Sequence, residues 1–274
     1  MPSSSMPANI EVTPHSAPTD HNQSVPDPIA HFKAIPWCAA LLSDPANLQV
    51  VVPDRRPLPS GESNFVRKTM NSPTTVRACV TFFRMVRPLK SKPTSSSTSS
   101  SSSVPSSGGT REVSPAGGAP AVGSSKEEAG DRGKSKKTKA LSASEALLSG
   151  GGRENGEDPR NPFLLFSALA DLGVDCQSYV GTMHGGLYGV LMDEVMGTAA
   201  NFQAPHGAYT VSFTTNFRRA VRTPQVVLIR GRVVRKDGRK LYVKGTMEDK
   251  DGNIMAEGDG LWLAMNKNVG RSQL

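Results

Sequence analysis

The stretch GTMHGGLYGVLMDEVMGTAANF, residues 181–202, decides how this chain folds. Within it Leu187, Val190, Leu191, Val195 and Thr198 recur at helical spacing, and Met192, Met196 and Ala199 fill most of the remaining circumference. A helix that is apolar nearly all round is a buried helix. Yet this one opens with His184 and carries the acids Asp193 and Glu194 at its centre. For Asp193, loss of hydration among apolar side chains is expected to raise the pKa and make it a better base or nucleophile than an exposed acid. At the head of the helix, Gly185 and Gly186 offer unpaired backbone N–H groups, the positive end of the helix dipole and room for close approach. A carbonyl oxygen that gains negative charge during a reaction is stabilised by such a site.

Working outward from the helix, the sequence beyond Pro205 changes to strands joined by turns. AYTVSFTTNFRRAV, PQVVLIRGRVVRK, RKLYVKGTMED and NIMAEGDGLWLAM are alternating or β-branched runs, and Asp237-Gly238 and Asp251-Gly252 are hairpin dipeptides. Before the helix, NPFLLFSALADLGVDCQSYVGT reads as a strand leading into a turn at Gly181, although a continuous apolar run is ambiguous by period alone. Further upstream, TVRACVTFFRMV (75–86) is the first expected strand, preceded by a packing arm that contains HFKAIPWCAALLSDP and a short helix in SGESNFVRKTMNSP. The expected class is α+β: a curved antiparallel sheet wrapped around one long central helix.

Composition divides the chain. Residues 1–27 are polar and broken by proline, and residues 91–158 contain SSSTSSSSS (95–103) with almost no large apolar side chains. Both stretches bury too little surface to offset ordering entropy and are expected to be disordered. The expected organisation is a tail at 1–27, an arm and first strand at 28–90, a disordered insertion at 91–158, the core at 159–267 and a tail at 268–274. The parts expected to fold, roughly 60 and roughly 110 residues long, suffice for one core.

The net charge of +8 raises the question of nucleic acid. The basic residues lack interleaved aromatic platforms, and no zinc-finger, basic-zipper or RNA-recognition pattern accompanies them, so no nucleic-acid partner is expected. The three cysteines have no CxxC spacing and no paired histidines, which predicts a reduced chain without a metal site. No apolar run approaches the roughly 20 residues of a membrane span. The first 27 residues lack arginine and hold Glu11 and Asp20, unlike a secretory or transit peptide. The cytoplasm is therefore the expected compartment, with the mitochondrion as the alternative.

The motif HGGLYGVLMDE, placed at the head of a buried helix, resembles that of the hotdog-fold acyl-CoA thioesterases of the PaaI-like and thioesterase-superfamily-member type. That family has His-Gly-Gly, six residues and then an acid, and Asp193 stands at this offset. A second similarity is TVSFTTNFRRAVRTP from Thr210, which looks like the family's strand opening on Ser or Thr and closing on an aromatic-basic-basic sequence. Ala220 departs from the proline often found there. The resemblance covers about residues 160–266, and the Ser-rich insertion falls in the connection between the first two strands.

The resemblance implies a hydrolase that cleaves an acyl-CoA to acid and coenzyme A without metal or redox cofactor. It assigns Asp193 as base or nucleophile, the Gly186 amide as oxyanion donor, Thr210 as holder of the water and His184 as organiser of the Gly-Gly turn or substrate. Gly185, Glu194, Arg218 and Arg219 are the expected substrate contacts, the arginines through the coenzyme A phosphates. It also implies a homodimer or dimer of dimers in which sheets pair edge to edge. The rival reading is a non-catalytic acyl-CoA-binding module whose disordered segment recruits partners; such a module has no need of Asp193.

Overall fold

The computed structural model describes residues 21–86, 143–148 and 155–267, all within one compact unit of the chain. Two short helices come first, α1 (Pro28–Lys33) and α2 (Pro36–Leu42). Each starts on proline, where the missing N–H removes no intrahelical bond, and Asp27 caps α1 by accepting from Ala30 N. They are followed by β1 (Asn47–Val51), a single π-helical turn (Phe65–Thr69), β2 (Val76–Met85) and α3 (Ala143–Leu148). Next come β3 (Leu164–Leu172), the small hairpin of β4 (Gln177–Tyr179) and β5 (Thr182–Met183), and α4 (Gly185–Asn201). The chain closes with β6 (Ala208–Phe217), β7 (Gln225–Asp237), β8 (Lys240–Glu248) and β9 (Ile254–Ala264).

Seven strands form one antiparallel sheet in the order β1-β2-β3-β7-β8-β9-β6, and α4 packs on one face of it: this is a hotdog fold. The expected hairpins turn at Gly238 and Gly252, both with positive φ (55° and 74°) that favours glycine. One expectation needs refinement. β7, β8 and β9 form a meander, but β6 does not pair with β7, which follows it; it crosses to lie beside β9 and ends the sheet. The stretch expected to be a packing arm also contains a strand, since β1 pairs with residues 81–84 of β2.

How closely α4 approaches the sheet is set by three glycines in register. Gly231, Gly245 and Gly258 are direct neighbours across β7, β8 and β9. A Cβ on Gly231 would lie 2.9 Å from Met196 Cα, and one on Gly258 would lie 2.8 Å from Met196 Sδ. Met192 and Met196, both fully buried, fill the space those side chains would take. The opposite face of the sheet is covered by α1 and α2, whose Phe32, Cys38 and Leu42 pack with Ala78, Val80, Phe82, Leu169 and Leu228.

Two parts of the stretches expected to be disordered are instead packed. At the first, Gln23 spans the backbone of Cys79: its amide accepts from Cys79 N and donates to Cys79 O at 3.1 Å and to Pro53 O. One side chain thus does what a neighbouring strand would do. At the second, α3 buries Ser144 and Leu148, and Arg232 donates to Leu148 O and to Phe163 O, so a buried guanidinium joins α3 to β7. Glu157 accepts from Phe163 N at 2.7 Å. The expectations for residues 1–20, 87–142, 149–154 and 268–274 lie outside the described residues.

The glycine row makes a direct prediction. In Gly231→Ala the new methyl meets backbone, Met196 Cα and Val195 O at 2.9 and 3.1 Å, so α4 itself must shift. Overpacking of this kind costs about 1–3 kcal/mol, and chemical denaturation should show that loss with the m-value unchanged.

Candidate active site

The start of α4 is capped by its own leading residue. His184 has extended backbone, and its Nδ1 accepts from Gly186 N at 3.0 Å. The first-turn amides of a helix have no intrahelical acceptor, and the imidazole satisfies one of them. The Gly186 N–H expected to face a substrate oxygen is therefore already engaged, by the histidine expected to organise the turn. Gly185, Gly186 and His184 are all exposed at this helix start.

The structure brings Asp193 and Thr210 together. Thr210, on the edge strand β6, donates its hydroxyl to Asp193 Oδ1 at 2.8 Å, and Asp193 is half-buried. The bond fixes the carboxylate rotamer and takes one of its oxygens, while the other keeps lone pairs to receive a proton. Glu194 follows in sequence but points about 100° away round the helix, to the flank of α4 that faces β2 and β3, where it lines a cavity. The pKa of Glu194 is raised. Loss of hydration at the cavity raises it first, the negative charge of Asp193 adds to the rise, and Arg67 opposes it. Glu194 nevertheless keeps substantial surface access, so it stands at the cavity's opening rather than inside the core.

The arginines divide. Arg218 is held by Glu257 through both Nε and Nη2, at 3.2 and 2.9 Å, which raises its pKa further. Arg218 is thus already paired with a carboxylate, whereas Arg219 is exposed. This strand end is anchored by Tyr188, which the sequence reading passed over. The buried phenol accepts from Val221 N at 2.7 Å and donates to Arg219 O at 3.2 Å. A lone tyrosine in an otherwise aliphatic helix was the available signal, because a buried hydroxyl needs a partner. Among the described residues no group of three or more His, Cys, Asp or Glu is arranged to hold a metal ion, and no helix is long and apolar enough to cross a membrane.

Residues 180–256, from the turn before α4 into β9, match the family model of the thioesterase superfamily. Solved structures that match part of this chain include a conserved protein from Pseudomonas aeruginosa, 26% identical over 37% of this chain and 81% of that one, with a TM-score of 0.34. A hypothetical thioesterase protein from Streptococcus pneumoniae, solved with coenzyme A, is 16% identical over 37% of this chain and 78% of its own, with a TM-score of 0.35. A Bacillus halodurans protein solved with CoA is 20% identical over 35% and 65%, with a TM-score of 0.34. No curated protein matches the chain.

The raised pKa of Glu194 makes stability depend on pH with a definite sign. A carboxyl whose pKa is higher in the folded than in the unfolded chain stabilises the fold fully below the unfolded value, and that contribution is lost as pH rises through the folded value. Glu194→Gln removes the charge and should melt higher than the parent at neutral pH. The difference should shrink as pH falls towards 4.5, the ordinary value for the side chain; thermal melts across that range test it.

Proposed function

We propose that this chain, whose residues 180–256 match the thioesterase-superfamily model, hydrolyses an acyl-CoA to the free acid and coenzyme A. The observation that carries the proposal is the Asp193–Thr210 pair, an acid held at 2.8 Å by a hydroxyl from the neighbouring edge strand. A regulatory module that only binds acyl-CoA gains nothing from a carboxylate held in this way.

In this reading Asp193 either takes a proton from water as it attacks the thioester carbon, or attacks that carbon itself and is released by water in a second step. Thr210 keeps the attacking oxygen of either route in line. The carbonyl oxygen gains negative charge as its bond order falls, and amides at the α4 N-terminus stabilise it. For Gly186 N–H to take part, the His184 ring has to turn off it. The imidazole thus serves as a stand-in acceptor that keeps the amide aimed until a substrate oxygen replaces it. The leaving thiolate takes the proton from Asp193 in the first route and from solvent in the second, and in this reading Arg219 meets the phosphates of the coenzyme.

Spacing along α4 favours a site shared between two subunits, as the family resemblance implies. Gly186 and Asp193 are seven residues apart, about 10 Å along a helix axis. An oxyanion donor and an attacking group must both lie about 3 Å from one carbonyl, so the amide and the acid of one chain cannot serve the same thioester. The outer edge of β6 is the end of the sheet, and Tyr209, Val211 and Phe217 on it are exposed. Pairing of two such edges supplies the second copy, and light scattering should give a dimer or a multiple of one. A monomer with full activity would contradict this reading.

The assignment of the acid has a sharper test. Asp193→Asn preserves the shape and removes the base, and should lower kcat by about 10²-fold or more while acyl-CoA still binds. Thr210→Val removes one hydrogen bond to a charged group, worth about 1.5–3 kcal/mol, and should cost about 10- to 100-fold. Release of free thiol from acyl-CoAs measures both, and full turnover by Asp193→Asn would remove the catalytic assignment.

A further inference from the structure

The residues assigned to thioester chemistry leave one large feature unexplained, the cavity on the flank of α4 away from Thr210. Its volume is about 490 Å³. Folded interiors are close-packed, with few voids larger than a water molecule, whereas small-molecule sites occupy roughly 300–1,000 Å³. The sheet side is apolar, formed by Phe83 of β2, Phe166 and Ala170 of β3 and Ile229 of β7, and the helix side carries Leu191 and Val195. Leu191 and Phe83 are only partly buried, although each is packed against the core.

The remaining wall comes from the arm and the π-helical turn, which, like β2 and β3, lie outside the segment that matches the family model. Val51, Pro53 and Arg55 of the arm and Val66, Arg67 and Met70 around the π-helical turn complete it. Arg55 fixes this wall. It is 5% exposed, and its guanidinium donates to Val76 O, Val66 O and Met70 O at 2.8, 3.1 and 2.7 Å, tying the turn to the start of β2. Three carbonyls thus fix the position of the arm relative to the sheet. Glu194 is exposed, and Arg67 is near enough to act on its charge, so these two mark where the cavity meets solvent.

We propose that this cavity receives the aliphatic chain of a long, linear acyl thioester, which enters past Glu194, and that the arm around Val66 and Met70 limits the length accepted. The inference rests on the hydrolase reading above and names its substrate class. Asp193 and Glu194 are consecutive, with Cα atoms about 3.8 Å apart, so a thioester held at Asp193 lies only a few bonds from the cavity opening. Gly186, Val190, Asp193 and Gly197 share one strip of the helix by their spacing of three and four. Beside the acid, that strip carries nothing larger than valine, which leaves a shallow path across α4. Volume decides between chain types. An apolar cavity of about 150 Å³ holds a benzene ring, so an aromatic acyl group would leave most of this space empty.

The test has two readouts. The first is the chain-length profile of Leu191→Trp and of Val66→Trp, one variant from each wall and neither in the catalytic machinery. Both should hydrolyse palmitoyl-CoA at least 10-fold less efficiently than the parent, while butyryl-CoA stays within about threefold. The second uses Cys79, which lines the cavity and whose thiol burial pushes up to about 11. In Asp193→Asn protein at alkaline pH, a hexadecyl thioether of coenzyme A should slow alkylation of Cys79, read by peptide mapping, and a butyl thioether should not. Both results are required. If butyryl- and palmitoyl-CoA are hydrolysed but either the profile or Cys79 protection is independent of the chain, the cavity inference is overturned and the hydrolase reading stands. If no acyl-CoA is hydrolysed by the parent, the hydrolase reading fails and the inference fails with it.

Discussion

The contact on which the rest depends is between the glycine row of the sheet and the two methionines of α4. Gly231, Gly245 and Gly258 leave a trough across three central strands, and Met192 and Met196 fill it. A helix normally rests on the side chains of a sheet; here it rests almost on backbone. That close seat is strongly directional, because rotating α4 by one residue, about 100°, would drive a different side chain into a trough shaped for thioethers. Fixing the buried face in this way also fixes both flanks. Asp193 is then presented to β6 and Glu194 to β2 and β3, and neither orientation has to be set by the acids themselves.

This explains why a buried helix keeps two adjacent acids. They are not a pair sharing one site but two residues facing different surroundings. Asp193 meets a hydroxyl that supports its charge, and Glu194 meets an apolar cavity that opposes charge, with Arg67 only partly compensating. Environment alone separates their chemistry. On the proposed reading the separation is useful, since one acid works best ionised and the other lies where an aliphatic chain would pass.

Much of this was legible in the sequence because it rests on local chemistry. The helical spacing of Leu187 to Thr198, the Asp-Gly turns and the offset from His184 to Asp193 all depend on near neighbours, and the structure has α4 and the turns where they were expected. What was not legible depends on partners distant in sequence. Gln23 has meaning only beside Cys79, and the same holds for Arg232 beside α3 and Arg55 beside the turn at Val66. Gln23 and Arg55 sit in stretches whose composition reads as loop and Arg232 in a strand, and nothing local in any of the three names the carbonyls it meets. The crossing of β6 to β9 was hidden for a related reason, since alternation identifies a strand but not its neighbour. The raised pKa of Glu194 was not legible either, because it comes from a cavity built by β2, β3 and the arm.

The arm follows from the same reasoning about distant partners. The central sheet and α4 leave one flank of the helix uncovered beyond β2, and a hotdog core of this kind needs something there to exclude water from Leu191 and Phe83. Here the covering segment is short and mostly irregular, so it is held by hydrogen bonds more than by apolar packing. A guanidinium buried without a carboxylate partner is costly unless its donors are satisfied, and burial lowers the pKa of Arg55. That cost is offset only while Val66 O, Met70 O and Val76 O are all in place. The turn therefore has one favoured position, set by Arg55 together with Arg67, which donates to Asp54 O and Arg56 O, and a wall fixed in this way can define a cavity length that loose loop packing cannot.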